Sequence, residues 1–321
     1  MKPIKVGVVG VGYLGKFHAE KYAALEEAEL VGIVDTDSGA AGRISEQLHV
    51  QAYSDYRDLL GKVAAVSIVV PTHRHHAIAR DFLLHGVDVL VEKPMTTTLA
   101  EADELIAMAK QEKRVLQVGH LERFNAALNA IEGILGNPLF IESHRLAPFK
   151  DRSMDVDVIL DIMIHDIDII LNITRSPAKA IHAVGVPILS KEKNDIANVR
   201  IEFESGCVAN ISASRISAKE MRKIRVFQRD AYLSIDFAVQ QVEVYRRQGT
   251  PDTGGTPQIV YEKIDIRQGD SLKKEIQSFL HAVRTRSEPV VSGEAGRDAL
   301  RVALEIVAQV DARKAALNLN V

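Results

Sequence analysis

Near its start the chain reads Val6-Gly7-Val8-Val9-Gly10-Val11-Gly12-Tyr13-Leu14-Gly15, and no other stretch constrains the fold as tightly. The apolar run from Ile4 to Val9 has the character of a buried strand. Leu14, Phe17, Tyr22 and Leu25 follow at helical spacing. Between them Gly10, Gly12 and Gly15 stand in G-x-G-x-x-G order. In a strand–turn–helix unit the first glycine permits the tight turn, the second lets a pyrophosphate approach the backbone, and the third lets the helix pack close to the strand. The helix N-terminus offers N–H groups and a positive dipole end to phosphate. A second apolar run, Leu30 to Val34, ends in Asp35, about 20 residues past Gly15, where an acid reaches a ribose 2′-hydroxyl. Gly10, Gly12, Tyr13, Leu14 and Asp35 are therefore the residues expected to hold a dinucleotide. A bare glycine pattern also occurs as a tight turn without a ligand; the flanking strand, helix and acid set this one apart. Asp35 favours NAD over NADP, because a carboxylate repels a 2′-phosphate and neither Thr36 nor Asp37 supplies a cation.

The 321 residues suffice for two domains. A hydrophobic share of 46% with 26% charged residues is that of a soluble globular chain. The net charge of −3 gives no basic field for nucleic acid or membrane. A single cysteine, Cys207, excludes an internal disulfide and a cysteine-rich zinc site. The N-terminus runs from Lys2 straight into a strand without a signal peptide, so a cytoplasmic location is expected.

Up to residue 119 strand-like and helix-like segments alternate. Strands are expected near 4–9, 30–35, 64–70, 87–92 and 114–118, and helices near 13–27, 38–48, 55–61, 74–85 and 98–112. The strands are apolar without alternation, as in a doubly wound parallel sheet covered on both faces. Ligands of such sheets bind at the carboxyl ends of the strands. One such end is Val70-Pro71-Thr72-His73-Arg74-His75-His76. Its three histidines lack a carboxylate among them and stand at a helix start, which points away from a metal. A second is Val91-Glu92-Lys93-Pro94. Pro94 biases Lys93 to an extended conformation and admits a cis bond. Glu92 and Lys93 then either project towards a ligand or form a solvated loop pair. The third, Gly119-His120-Leu121-Glu122-Arg123-Phe124-Asn125, opens a helix that runs to about Gly136. The domain junction is placed here, giving domains 1–119 and 120–321.

Beyond residue 138 apolar and polar residues alternate, as in Val199-Arg200-Ile201-Glu202-Phe203, Val208-Ala209-Asn210-Ile211-Ser212 and Val242-Glu243-Val244-Tyr245. Period-two alternation predicts a largely antiparallel sheet with one buried face. A helix near 155–173 covers that face, and the other is either solvated or packed on another subunit. Gly206 and Asp230-Ala231 read as hairpin turns, 249–256 as a loop, and 272–286 and 294–315 as amphipathic helices.

The 155–173 helix carries Asp161-Ile162-Met163-Ile164-His165-Asp166-Ile167-Asp168. On an α-helix Asp161 and His165 lie about 40° apart on one face, and Asp168 continues that stripe. Carboxylates in an apolar helix are costly unless paired, and a His beside an acid suits proton transfer near neutral pH. The alternative is a polar stripe that merely faces water.

Gly10-x-Gly12-x-x-Gly15, Glu92-Lys93-Pro94, Gly119-His120-x-x-Arg123-Phe124-Asn125 and Asp161-x-x-x-His165 together resemble the glucose–fructose oxidoreductase, inositol dehydrogenase and rhizopine catabolism (Gfo/Idh/MocA) family across essentially the whole chain. The resemblance implies an NAD(P)-binding Rossmann domain, then an α/β domain whose open antiparallel sheet binds substrate and packs in homodimers or homotetramers. It implies oxidation of a hydroxyl on a sugar or cyclitol. Lys93 falls on the family's catalytic lysine, His165 on its acid/base residue, and Asp161 on the acid that supports both substrate and imidazole. Thr72, His75, Glu92 and Lys93 fall on cofactor-contacting positions, and Arg123 joins Arg145, Asp161 and His165 on the substrate side. Where many members carry a glycine-rich run, this chain has Asp157-Val158-Ile159-Leu160. The run from Arg145 to Asp168 is most similar to the branch that oxidises the C3 hydroxyl of UDP-N-acetylglucosamine on the route to lipid A. Arg145, Lys150 and Arg152 then either hold the diphosphate or form an ordinary charged loop. The rival substrates are a free aldose, an inositol or biliverdin. A rival of another class is a non-catalytic NAD-binding sensor.

Overall fold

The computed structural model describes residues 2–149, 156–190, 193–248 and 258–316. The expected loop 249–256, Lys150 and Arg152 lie outside them. The chain forms two compact units, one of residues 1–121 and 270–298, the other of 122–269 and 299–321.

The first unit is built on β1 (Ile4–Val9), α1 (Gly15–Ala23), β2 (Ala28–Val34), α2 (Ser38–Leu48), β3 (Gln51–Tyr53), β4 (Ala65–Ile68), α3 (His75–Leu84), β5 (Asp88–Glu92), α4 (Leu99–Gln111) and β6 (Leu116–Gly119). Its six strands run in the order β3-β2-β1-β4-β5-β6 and all pair in parallel. The order reverses direction between β1 and β4, and a parallel sheet opens its ligand cleft at such a switch point. β3 was not expected; three residues at a sheet edge carry too little apolar pattern to register. The helix expected over 55–61 is a 3-10 turn, Tyr56–Leu59.

Past Glu122 the second unit holds α5 (Ala126–Asn129), β7 (Phe140–Leu146), a π-helical turn (Ile159–Met163) that leads into α6 (Ile164–Thr174), and then β8 (Ala178–Val186), β9 (Ile196–Phe203), β10 (Val208–Ser214), β11 (Met221–Phe227), β12 (Ala231–Asp236), β13 (Gln241–Gln248) and β14 (Gln258–Ile264). These make an eight-stranded sheet in the order β14-β13-β12-β11-β7-β10-β9-β8. Only β7 and β10 pair in parallel, so the sheet is mixed and mostly antiparallel. The helix expected to run to Gly136 is shorter. Asn125 sits in an extended conformation, and its side chain caps α5 through the Ala127 N–H.

α7 (Ser271–Thr285) and α8 (Gly293–Ala316) close the described chain. α7 belongs to the first unit. Its Ile276, Phe279, Leu280 and Val283 share one core with Val6 and Val8 of β1 and Ala19 and Tyr22 of α1. Asp270 caps α7 and pairs with Lys21 at 2.5 Å, and Arg286 binds the buried Asp88 carboxylate at 2.7 and 2.8 Å. In the second unit Ile164, Ile167 and Ile170 of α6, with Val302, Ala303 and Ile306 of α8, cover the apolar sheet face of Ile141, Ile201, Ile211, Ile224, Leu233 and Val244. No helix among the described residues is long and apolar enough to cross a membrane.

Candidate functional site

The glycine loop sits at the carboxyl end of β1. Gly10 has φ of +86°, and a Cβ there would stand 2.3 Å from the Val69 carbonyl oxygen. A Cβ on Gly15 would fall 1.8 Å from the Gly10 oxygen. Both positions exclude any side chain. Gly12 differs, because a Cβ there would meet nothing within 4 Å. Its open side is the one a ligand can approach. The N-terminus of α1 carries no side-chain cap and no acid in its first turn, so its N–H groups face outward without a competing carboxylate. Tyr13 and Leu14 flank it at 64% and 48% exposure. Asp35 ends β2 half-buried, with Oδ2 accepting the Val11 N–H at 2.8 Å and Oδ1 the Asp37 N–H at 2.9 Å. An uncapped helix start, an open glycine and a carboxylate tied to the same loop fit the phosphates and ribose of a dinucleotide.

At the end of β4, Thr72 opens a 3-10 turn and is half-buried. His75 is only 1% exposed, and its ring nitrogens face the Pro94 and Val70 carbonyls at 2.9 and 2.8 Å. Burial pushes its pKa down, and those carbonyls pull it partly back. His75 therefore braces the turns after β4 and β5 against each other, where cofactor contact was expected of it. His76 instead turns to Glu104 at 3.0 Å and His73 is exposed, so the three histidines do not converge.

At the end of β5 the Lys93–Pro94 bond is cis, and Lys93 is half-buried. Glu92 accepts the Lys93 backbone N–H at 3.3 Å and lies 3.2 Å from His18 Nε2. Burial pushes the Glu92 carboxyl up, but the His18 hydrogen bond and the charges of His18, Lys93 and His75 carry it below the usual range. Neither His18 nor its partnership with Glu92 is visible in a linear pattern, since 74 residues separate them.

In the second unit the π turn bears Asp161, and α6 bears His165; both are half-buried. π turns recur at functional sites because the extra residue re-aims the side chains. Asp157 anchors this segment. Its carboxylate accepts the Ile159 N–H at 2.9 Å and, from Asn194, the backbone N–H at 3.1 Å and the side-chain amide at 2.6 Å. The neighbouring acids turn the other way. Asp166 is buried on Arg145 and Ser143, and Asp168 on Arg123 at 2.8 Å. Asp168 at 2% exposure thus does not continue the open stripe of Asp161 and His165.

Two expected substrate contacts are placed differently from the expectation. The Arg145 guanidinium has a side-chain exposure of 7% and is held by Glu122 and Asp166, and that of Arg123 is 10% exposed and held by Asp168. Their charges are met inside the unit, which is a positioning geometry for α6 and not that of a surface diphosphate clamp. Arg145 missed its expected place because the two carboxylates that bury it come from other elements.

A model of an oxidoreductase family with an NAD-binding Rossmann fold (GFO/IDH/MocA) matches residues 4–120, and a GFO/IDH/MocA C-terminal domain model matches residues 126–234. The UDP-N-acetylglucosamine 3-dehydrogenase of Acidithiobacillus ferrooxidans is 39% identical over 310 residues, 96% of this chain and 98% of that one. A solved structure of that enzyme superposes with a TM-score of 0.91 at 38% identity, covering 97% of this chain and 99% of the other. The myo-inositol 2-dehydrogenase of Thermotoga maritima is 28% identical over 315 residues, 92% of this chain and 93% of that one. A scyllo-inositol dehydrogenase from Lactobacillus casei, solved with NAD(H) and scyllo-inositol, shares the fold at a TM-score of 0.81 and 19% identity, with 97% and 98% coverage.

Proposed function

This chain belongs to the GFO/IDH/MocA oxidoreductase family, and on that premise we propose that it oxidises the C3 hydroxyl of UDP-N-acetylglucosamine with NAD as the acceptor. The observation that carries this reading is the likeness to the Acidithiobacillus enzyme, which runs through both halves and leaves almost none of either chain uncovered. Inositol dehydrogenases are clearly less alike in sequence.

The residues of the glycine loop and Asp35 would hold the cofactor, and NAD when bound supplies the hydride acceptor. Asp35 supports NAD over NADP, since an acid at the end of β2 suits a ribose 2′-hydroxyl and opposes a 2′-phosphate. His165 takes the proton of the hydroxyl that is oxidised, and Asp161, one turn earlier, supports the imidazole and binds a neighbouring hydroxyl. Lys93 donates a hydrogen bond to the reacting oxygen and stabilises the charge that develops on it. Thr72 and Lys93 line the cofactor side, Glu92 supports Lys93 from within the first unit, and Arg123 and Arg145 act on the substrate side by fixing α6. The open face of the second unit's sheet serves self-association into a homodimer or homotetramer.

The test is a substrate panel read at the absorbance band of reduced nicotinamide. NAD-dependent reduction with UDP-N-acetylglucosamine, and little with inositols, free aldoses or biliverdin, is the expected result. Turnover of an inositol or aldose in preference would replace the substrate, and no turnover with any would favour a non-catalytic sensor.

A further inference from the structure

His18 of α1, Glu92 at the end of β5 and Glu275 of α7, all in the first unit, bring one imidazole nitrogen and two carboxylate oxygens within 4.8 Å of one another. The cluster is largely buried: His18 is 2% exposed, Glu275 0%, and the Glu92 side chain 14%. Glu92 turns inward because its neighbour across the sheet is Gly119. A Cβ there would come within 2.9–3.1 Å of the Glu92 carboxylate. Glu92 is satisfied, with His18 on one oxygen and the Lys93 N–H on the other. Glu275 is not: neither of its carboxylate oxygens has a hydrogen-bond partner among the described residues.

Two ionised carboxylates beside one imidazole would leave net negative charge in a buried cluster, which like-charge repulsion and burial both oppose. A divalent cation would neutralise the cluster, but it needs an entry path, and His18 and Glu275 are closed off. A proton needs none. It belongs on the carboxylate that has no other partner. Burial and the charge of Glu92 push Glu275 well above the usual carboxyl range, while Glu92 moves below it.

We propose that Glu275 is held as a neutral carboxylic acid and is a positioning residue for the dehydrogenase reaction, keeping Glu92 ionised on His18 and so fixing the peptide that carries Lys93. The positioning role rests on the reading of Lys93 as the cation that polarises the reacting oxygen. The other polar groups around the cluster are consistent with it. Tyr22 of α1 bonds Ser67 at 2.9 Å, Gln117 of β6 donates to the Glu275 backbone carbonyl at 3.3 Å, and His75 of α3 is committed to the Val70 and Pro94 carbonyls. The buried His120 follows β6. When Glu275 loses its proton, two like charges face each other, and Glu92 is driven off His18.

The test compares wild type with Glu275→Gln, a neutral isostere, and Glu275→Ala. The unfolded chain ionises Glu275 at an ordinary carboxyl pKa, about 4.3, whereas the folded chain keeps the proton. Wild type therefore loses stability as pH rises from that value towards the raised folded one. Glu275→Gln has nothing to lose. Its Tm gain over wild type should open steadily as pH rises above about 4.3. With UDP-N-acetylglucosamine, Glu275→Ala should lower kcat about tenfold. Glu275→Gln should restore most of it and carry the alkaline fall in kcat to higher pH. A Tm difference that stays flat with pH overturns the neutral acid. A difference that opens while the kcat profiles of wild type and Glu275→Gln superpose overturns the positioning role. Stoichiometric metal in purified wild type, absent from Glu275→Gln, overturns both. A wild type without turnover on any sugar removes the positioning role along with the dehydrogenase reading, while the Tm comparison still decides the proton on Glu275.

Discussion

Arg145 holds Asp166 through two nitrogens on one oxygen, Nε at 2.8 Å and Nη2 at 2.6 Å from Oδ1, while its Nη1 reaches Glu122 at 2.7 Å. Ser143, two residues earlier on β7, donates to the other Asp166 oxygen at 2.8 Å. His165 is the residue just before Asp166, so this buried cation sets the rotation of α6 about its axis. Burial lowers the pKa of the guanidinium, but the charges of Asp166 and Glu122 raise it further, so it stays charged at any pH at which the chain folds.

Replacing Arg145 with Met would keep most of the volume and leave two buried carboxylates without their cation. Breaking one partner out of a buried pair costs about 3–5 kcal/mol. Urea unfolding of Arg145→Met should show that loss, and turnover should fall with it because His165 loses its orientation. A stability change under about 1 kcal/mol would mean that the carboxylates find another partner or simply protonate.

Residues whose job is local were legible from order alone. The glycine loop, Asp35 and the buried parallel strands β1, β4 and β5 each announce themselves through a run of neighbours, because strands covered on both faces read as unbroken apolar stretches. The alternation of β9, β10 and β13 was legible for the complementary reason. Pairings made in space were not. α7 reads as an amphipathic helix near the chain end, and nothing in its spacing tells that Phe279 packs with Val6 and Val8. Arg145 reads as a diphosphate clamp or part of a charged loop until Asp166 and Glu122 are seen to bury it. The Asp161–His165 spacing was drawn on an α-helix, whereas Asp161 lies in a π turn, a departure that an i, i+4 pattern does not reveal.

In the proposed function Asp35 reads the ribose with the same carboxylate that anchors the glycine loop through the Val11 N–H, so its replacement should affect both. Asp35→Ser should lower kcat/KM for NAD about tenfold to a hundredfold, the range for losing a charged hydrogen bond of about 1.5–3 kcal/mol. The same change removes the repulsion of a 2′-phosphate, so the ratio of NAD to NADP efficiency should narrow. Steady-state kinetics with both cofactors checks this. An unchanged ratio would place cofactor choice elsewhere in the first unit.

In the proposed function Lys93 supplies charge to the reacting oxygen and does not hold the phosphates. Lys93→Ala should therefore lose turnover by about 10²–10⁴-fold, with NAD affinity by calorimetry kept within a few-fold. Unimpaired turnover in Lys93→Ala would take the residue out of the mechanism. Lost NAD binding would make it a cofactor contact first.

The face of the second unit's sheet opposite its apolar core carries a row of aromatic rings on directly paired residues: Phe140, Phe227, Tyr232, Tyr245 and Tyr261 on β7, β11, β12, β13 and β14. Successive centroids lie 5.6, 4.8, 5.2 and 5.1 Å apart. The central pairs Phe227–Tyr232 and Tyr232–Tyr245 are stacked and the outer two tilted; each pair contributes about 0.5–1.5 kcal/mol beyond its buried area, and the row is edged by charges such as Arg225 and Glu142. A second copy laid on that row would cover the rings with little loss of side-chain freedom, since tyrosine orders at low entropic cost. Tyr232→Lys together with Tyr245→Lys would set a desolvated cation at the centre of such a contact. Light scattering behind a sizing column should find wild type as a dimer or tetramer and the double variant at monomer mass, with far-ultraviolet circular dichroism unchanged. A wild type that runs as a monomer, or a double variant that keeps its partners, would leave the aromatic row with a purely structural task.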